Sequence, residues 1–180
     1  MIQIGAPSAT IDKPVEHLMA CHRRIEQRLD TLTRAATHLE SDRESALAAI
    51  AKSLEFLDSS GILHTEDEEE SVFPRLRAKV SAREIAYLDS LEEEHERAES
   101  ILARLKRFVE RAERENPISG ELIEEYRACA EELRSLYGRH IRSEDEVLMV
   151  MAKQSLGDPD LCEISREMRE RRAARGQLSL

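Results

Sequence analysis

Apolar residues recur every three or four positions along most of this chain, and nowhere do they alternate with period two. From Pro14, the stretch PVEHLMACHRRIEQRLDTLTRAATHL predicts a first helix to about His38, opened by Asp12 and Pro14. Polar ESDRE separates it from a second helix beginning near Ser45. That helix meets a weak point at Ser59-Ser60-Gly61 and is expected to resume until Pro74 interrupts it. Ser81 with Glu84 offers a capping box for a third helix, which runs to about Glu115. NPISG is the clearest loop, and a fourth helix follows from about Glu121 to Lys153. LGDP then breaks the chain, and PDLCEISREMRERR forms a short fifth helix. Four long helices with short connections give an all-α, up-down-up-down four-helix bundle. The expected organisation is an N-terminal arm over 1–13, the bundle over 14–153, and a C-terminal helix and tail over 154–180.

Composition narrows the function classes. Charged residues make up 36% and aromatics only 3%, without tryptophan, as in long amphipathic helices rather than an aromatic-rich binding domain. The formal net charge of −10 repels phosphate backbones and argues against nucleic-acid binding. The late basic run RERRAARG reads as the ordinary charge bias of a helix C-terminus. Cys21, Cys129 and Cys162 are an odd number with no CxxC pair, which fits reduced thiols in a cytoplasmic protein. No basic-then-apolar leader opens the chain and no apolar run approaches a membrane span, so a soluble protein away from membranes is expected.

The chemistry sits inside the apolar stripes. His64 and Glu68 are one helical turn apart, on the face that carries Leu57, Gly61 and Val72. Glu66, Glu69 and Glu70 can point elsewhere. The fourth helix repeats the arrangement, with His140 and Glu144 on the face of Leu133, Leu136, Val147, Leu148 and Met151. His22 lines up with Val15, Leu18, Met19, Ile25 and Leu29, and His95 with Leu88, Leu91, Ala98, Leu102 and Leu105. His22 and His64 are 42 residues apart, His95 and His140 45. The chain thus reads as a helix pair used twice, a lone His followed by His-x-x-x-Glu. His17 and His38 fall outside this constellation. Two carboxylates and four imidazoles converging without a lysine or arginine on their stripes suit a bound cation, because a buried carboxylate is costly unless paired, protonated or metal-bound. Iron, manganese and zinc all accept such ligands, and six ligands are too many for one tetrahedral zinc but about right for two metals bridged by the carboxylates.

These residues resemble the hemerythrin-type cation-binding family, with its pattern H…HxxxE…H…HxxxE on four antiparallel helices. CHRRIEQRL resembles the first-helix segment, HTEDEEESVFPRL the second, LEEEHERAE the third and HIRSEDEVLM the fourth, so the match covers roughly Pro14 to Met151. The resemblance implies two iron ions with an oxo or hydroxo bridge. By it His22, His64, His95 and His140 are terminal nitrogen ligands, and Glu68 and Glu144 bridge the irons. Oxygen-carrying members have a second histidine four residues along the third helix. Here that place holds Glu99, with Leu91 four residues before His95, which leaves Glu92, Glu99 or an open position there. A proline typical of the fourth helix is replaced by Val150. Within the family the expected small-molecule partners are O2, NO or peroxide, in oxidative or nitrosative stress or in iron handling. The alternative is a non-enzymatic iron or redox sensor whose metal staples the bundle against a protein partner.

Overall fold

A computed structural model describes residues 11–176; within them every regular element is a helix or helical turn and there is no strand. Most of the expected N-terminal arm and the end of the tail lie outside the described residues. Helix α1, Pro14–Ala35, has its proline in the first turn, where a missing N–H costs little, and closes in a 3-10 turn, Ala36–His38. Asp12 does not cap it: Lys13 holds the N-cap position, and Asp12 pairs with Arg169 near the C-terminus. Helix α2, Arg43–Phe56, starts slightly ahead of the apolar pattern because the Asp42 side chain accepts a hydrogen bond from the Ser45 amide at 3.3 Å.

From there the chain stays helical to Arg77, through a π-turn at Leu57–Gly61, α3 at Ile62–Asp67, a second π-turn at Glu68–Val72 and α4 at Phe73–Arg77. The expected weak point at Ser59-Ser60-Gly61 is a π-turn through which the helix goes on. One sequence expectation is corrected here: Pro74 does not end the helix. The second π-turn bonds the Phe73 amide to the Glu68 carbonyl, so Pro74 enters in the first turn of a renewed α-helix where its own missing amide is tolerated. Arg75 Nη1 then donates to the Ser71 carbonyl at 2.8 Å.

Helix α5, Ala82–Arg114, opens with the expected Ser81–Glu84 capping box. Helix α6, Gly120–Ser143, is capped by Ser119 and passes through a third π-turn, Glu144–Leu148, into α7, Met149–Ser155. Helix α8, Asp158–Ala174, lies against α1, α3 and the second π-turn. These elements make the four-helix bundle with an added C-terminal helix.

The interior is divided. One apolar cluster gathers Ile25, Leu29, Leu54, Leu57, Leu102, Leu133 and Leu136 with their neighbours. A second gathers Val15, Leu18, Phe73, Leu76, Leu88, Leu91, Leu148, Ile164 and Met168. Each of the four bundle helices crosses from one cluster to the other, and at each crossing it carries a histidine. One expected core position is wrong. Val147 is 45% exposed, because the π-turn beginning at Glu144 moves the inward face on to Leu148 and Met149.

Candidate metal centre

Between the two apolar clusters lies a polar layer made of His22, His64, Glu68, His95, His140 and Glu144, every one of them buried. All six residues singled out from the sequence are brought together. The imidazole Nε2 atoms point inward: His22 is 3.2 Å and His140 3.1 Å from the Glu144 carboxylate, and His64 is 3.5 Å and His95 3.7 Å from Glu68 Oε2. The ligand-type atoms fall into two groups that share Glu144. One holds His22, His64, Glu68 and Glu144, and the other His95, His140 and Glu144. His95 Nε2 and His140 Nε2 face each other at 3.0 Å. The two histidine pairs are arranged alike, each edge-to-face, with ring centroids 4.8 Å apart for His22–His64 and 4.7 Å for His95–His140.

The outward Nδ1 atoms meet carboxylates that sequence reasoning missed. His22 Nδ1 is 2.8 Å from Asp145, His95 Nδ1 is 2.7 Å from Glu69, and His140 Nδ1 is 2.8 Å from Glu94. Such contacts turn each ring and place its proton on Nδ1, which leaves the inward Nε2 as a lone pair suited to a cation. Each of these carboxylates directly adjoins a layer residue in sequence, a cue available only once the pairing of helices is known.

Other acidic neighbours are engaged elsewhere. Glu92 binds Arg77 at 2.8 Å, and Glu99 is exposed, so neither completes the layer at the place where oxygen carriers have a further histidine. Glu70 pairs with Arg171 of α8, and Glu66 with Arg175 just past its end. The basic C-terminal run is therefore more than helix-end bias, since Arg171 and Arg172 also grip fully buried Asp67 at 3.0 and 2.7 Å. His17 is buried but faces Arg172, at 3.2 Å, and His38 is exposed. A surface groove of about 730 Å3 between α1 and α6 is lined by Arg23, Glu26, Arg134 and Arg139, and none of the histidines borders it.

Electrostatics explains why this layer is uncomfortable by itself. Burial, then the charge of Glu144, pushes the Glu68 carboxyl well above the usual range. Glu144 goes the other way: burial opposes its ionisation, but the imidazoles of His140 and His22 outweigh it and hold the carboxyl well below the usual range. Burial, with the neighbouring His22, drives His64 well below the ordinary imidazole value. Two carboxylates this close cannot both ionise without added positive charge. Six buried layer atoms, His22 Nε2, His64 Nδ1 and all four oxygens of Glu68 and Glu144, have no hydrogen-bond partner among the described residues. In a folded protein such orphans are rare; a dication satisfies His22 Nε2 and the four carboxylate oxygens, while His64 Nδ1 lies on the outer side of its ring. The donor set, imidazole nitrogen with carboxylate oxygen, fits iron, manganese or zinc.

A helical bundle wrapped around a buried cluster of histidines and glutamates defines a cation-binding helical protein. Residues 13–152 match the hemerythrin HHE cation-binding domain, and the chain belongs to that family. It is similar to an uncharacterized protein of Haemophilus influenzae, 29% identical over 170 residues, covering 91% of this chain and 92% of that protein.

Proposed function

We propose that this is a non-haem di-iron protein that meets O2, NO or peroxide, with His22, His64, His95 and His140 as terminal ligands and Glu68 and Glu144 as bridges. The observation that carries the reading is the set of inward-facing atoms, His22 Nε2 and the four oxygens of Glu68 and Glu144, buried without hydrogen-bond partners among the described residues. Two irons held there would supply redox chemistry, one electron from each, toward a small oxidant or diatomic. The chain's own residues do the rest. Asp145, Glu69 and Glu94 fix ring orientation and keep the Nδ1 protons. Phe73, stacked over His95 with ring centroids 6.5 Å apart, and Tyr137, edge-on to His140 at 6.0 Å, keep bulk water from that half of the layer. With Glu92 and Glu99 turned away, that half is the place for an open coordination position. Reaction with small oxidants or diatomics suits oxidative or nitrosative stress, or iron handling. The setting proposed is cytoplasmic: the three cysteines are free, and no helix among the described residues is long and apolar enough to cross a membrane.

A second reading, a non-enzymatic sensor, is favoured by one feature, the clasp of α8 on Asp67 immediately before Glu68. Metal loss would reach α8 through that contact. The test of the first reading is metal analysis with an absorption spectrum of protein loaded anaerobically with ferrous iron and then exposed to O2, NO or peroxide. The expected result is two irons per chain and a charge-transfer band that responds to one of the three. Tight uptake of a single zinc with no iron pair would overturn it, and an iron pair whose spectrum ignores all three favours the sensor.

A further inference from the structure

The outer hydrogen bonds follow the chain's internal repeat, and they follow it incompletely. His22 is held by Asp145, the residue after Glu144, and His95 by Glu69, the residue after Glu68. These two contacts are equivalent under exchange of the two helix pairs. His140 is held by Glu94, the residue before His95. The same exchange assigns His64 to the residue before His22, and that residue is Cys21. Among the described residues His64 Nδ1 is buried without a hydrogen-bond partner, carboxylate or other, and the Cys21 sulfur is turned to Arg24, whose Nη2 donates to it at 2.8 Å. Around Cys21 the charge is reversed as well. A cavity of about 170 Å3 beside it is lined by His17, Arg24, Ser60, Leu63 and Arg172, whereas the corresponding place near His140 holds the carboxylate of Glu94.

Resting on the two-metal reading above, we infer that the two cation positions are unequal, and that the one held by His22 and His64 is the labile one, filled last and emptied first. Both positions receive two imidazoles. Glu144 is shared by the two groups, near His22 and His140, and Glu68, which groups with His22 and His64, has its Oε2 3.5 Å from His64 and 3.7 Å from His95. What differs is the support behind the rings. At the His95–His140 position both imidazoles are oriented and made more basic by a carboxylate. At the His22–His64 position only one is, and where the other would find its support Cys21 stands beside Arg24 and Arg172. Loss of an outer carboxylate typically weakens a metal site about 10–100-fold. The labile position is thus the one from which this protein would surrender a single iron while keeping its fold.

The experiment titrates the full-length metal-free protein with ferrous iron, anaerobically and against a competing chelator, reading bound metal at equilibrium. Wild type should fill in two steps about 10–100-fold apart. Cys21→Glu supplies the missing carboxylate and should tighten the weaker step while leaving the stronger one in place. Glu94→Gln should weaken the stronger step alone. Circular dichroism checks that each variant keeps its helical content; should Cys21→Glu fail to fold, Cys21→Asp makes the same test and Glu94→Gln decides independently. Two irons bound in a single step, a folded Cys21→Glu protein with an unchanged weaker step, or Glu94→Gln acting on the weaker step would overturn the inference and leave the di-iron reading standing. Failure to bind any iron pair would strike that reading instead.

Discussion

Glu68→Met should move stability in opposite directions with and without iron. The Glu68 side chain is fully buried, its oxygens lack hydrogen-bond partners among the described residues, and the imidazoles of His64, His95 and His22 lie 3.5, 3.7 and 3.9 Å away. Without metal it is a polar group stripped of water and given nothing in return. An orphaned buried polar group costs about 1–3 kcal/mol, and methionine fills nearly the same volume without it. For a chain of this size each kcal/mol moves the melting temperature by about 2–4 °C, so the metal-free variant should melt about 2–12 °C above wild type. Iron reverses the order. Free iron at one hundred times the dissociation constant adds about 2.7 kcal/mol per position, so two positions raise wild type by roughly 10–20 °C. The variant loses a carboxylate proposed to serve both positions and should gain little. Anaerobic thermal melts of both proteins, with and without ferrous iron, read the crossing directly. A metal-free variant that melts below wild type, or wild type that ignores iron, would refute the reasoning.

Neighbouring glutamates should separate by what they touch. Glu70→Gln should leave metal content intact, since that side chain is 61% exposed and pairs with Arg171, away from the layer, whereas Glu69→Gln should weaken iron binding about tenfold by freeing His95 Nδ1; metal analysis after dialysis distinguishes them. Iron uptake should release protons near neutral pH. Burial works against protonated His22 and His140, but Glu144 and the outer carboxylates outweigh it and raise both, while burial raises Glu68. Apparent affinity should therefore fall as pH drops through those raised values, and calorimetry in buffers of different ionisation enthalpy would show no proton release if this is wrong. Arg172→Met should cost about 1–3 kcal/mol in a melt, by leaving buried Asp67 with Arg171 as its remaining guanidinium partner; an unchanged midpoint would show that the clasp carries no stability.

The layer was legible in the sequence because three-four periodicity is a direct image of a helix face. His64 and Glu68, or His140 and Glu144, share a face in any regular helix, and apolar neighbours show which face turns inward. What the sequence hid arises where that regularity fails or where helices meet. Val147 fits the stripe on paper, yet the π-turn at Glu144 passes it to the solvent side. Pro74 looks like a stop because a straight α-helix cannot absorb it, and the preceding π-turn removes the conflict. Glu69, Glu94 and Asp145 look like solvated surface because their partners lie on other helices. The C-terminal arginines were hidden for the same reason, since their acidic partners lie about a hundred residues earlier in the chain.

The π-turns also account for how one short segment serves both the inner layer and its outer support. Glu68 and Glu144 each open a π-turn, and in each the carbonyl of that glutamate accepts from the amide five residues on, Phe73 or Met149. Successive residues on a helix point roughly a quarter-turn apart. With the glutamate aimed at the bundle axis, the next residue therefore points sideways, toward the adjacent helix. There Glu69 meets His95 and Asp145 meets His22. The widened turn then restores the apolar face, through Val72 and Phe73 in one case and Leu148 and Met149 in the other. A dipeptide of two acids thus does two jobs, an inward carboxylate and a carboxylate behind a neighbouring imidazole. The fold tolerates the device because the cluster on either side of the layer is apolar and continuous enough to hold four helices together across the bulge. The same logic explains why the fourth support is the vulnerable one. Glu94 and Cys21 stand before a histidine in an ordinary stretch of helix, outside the paired device, so the identity of that one side chain decides whether the support exists.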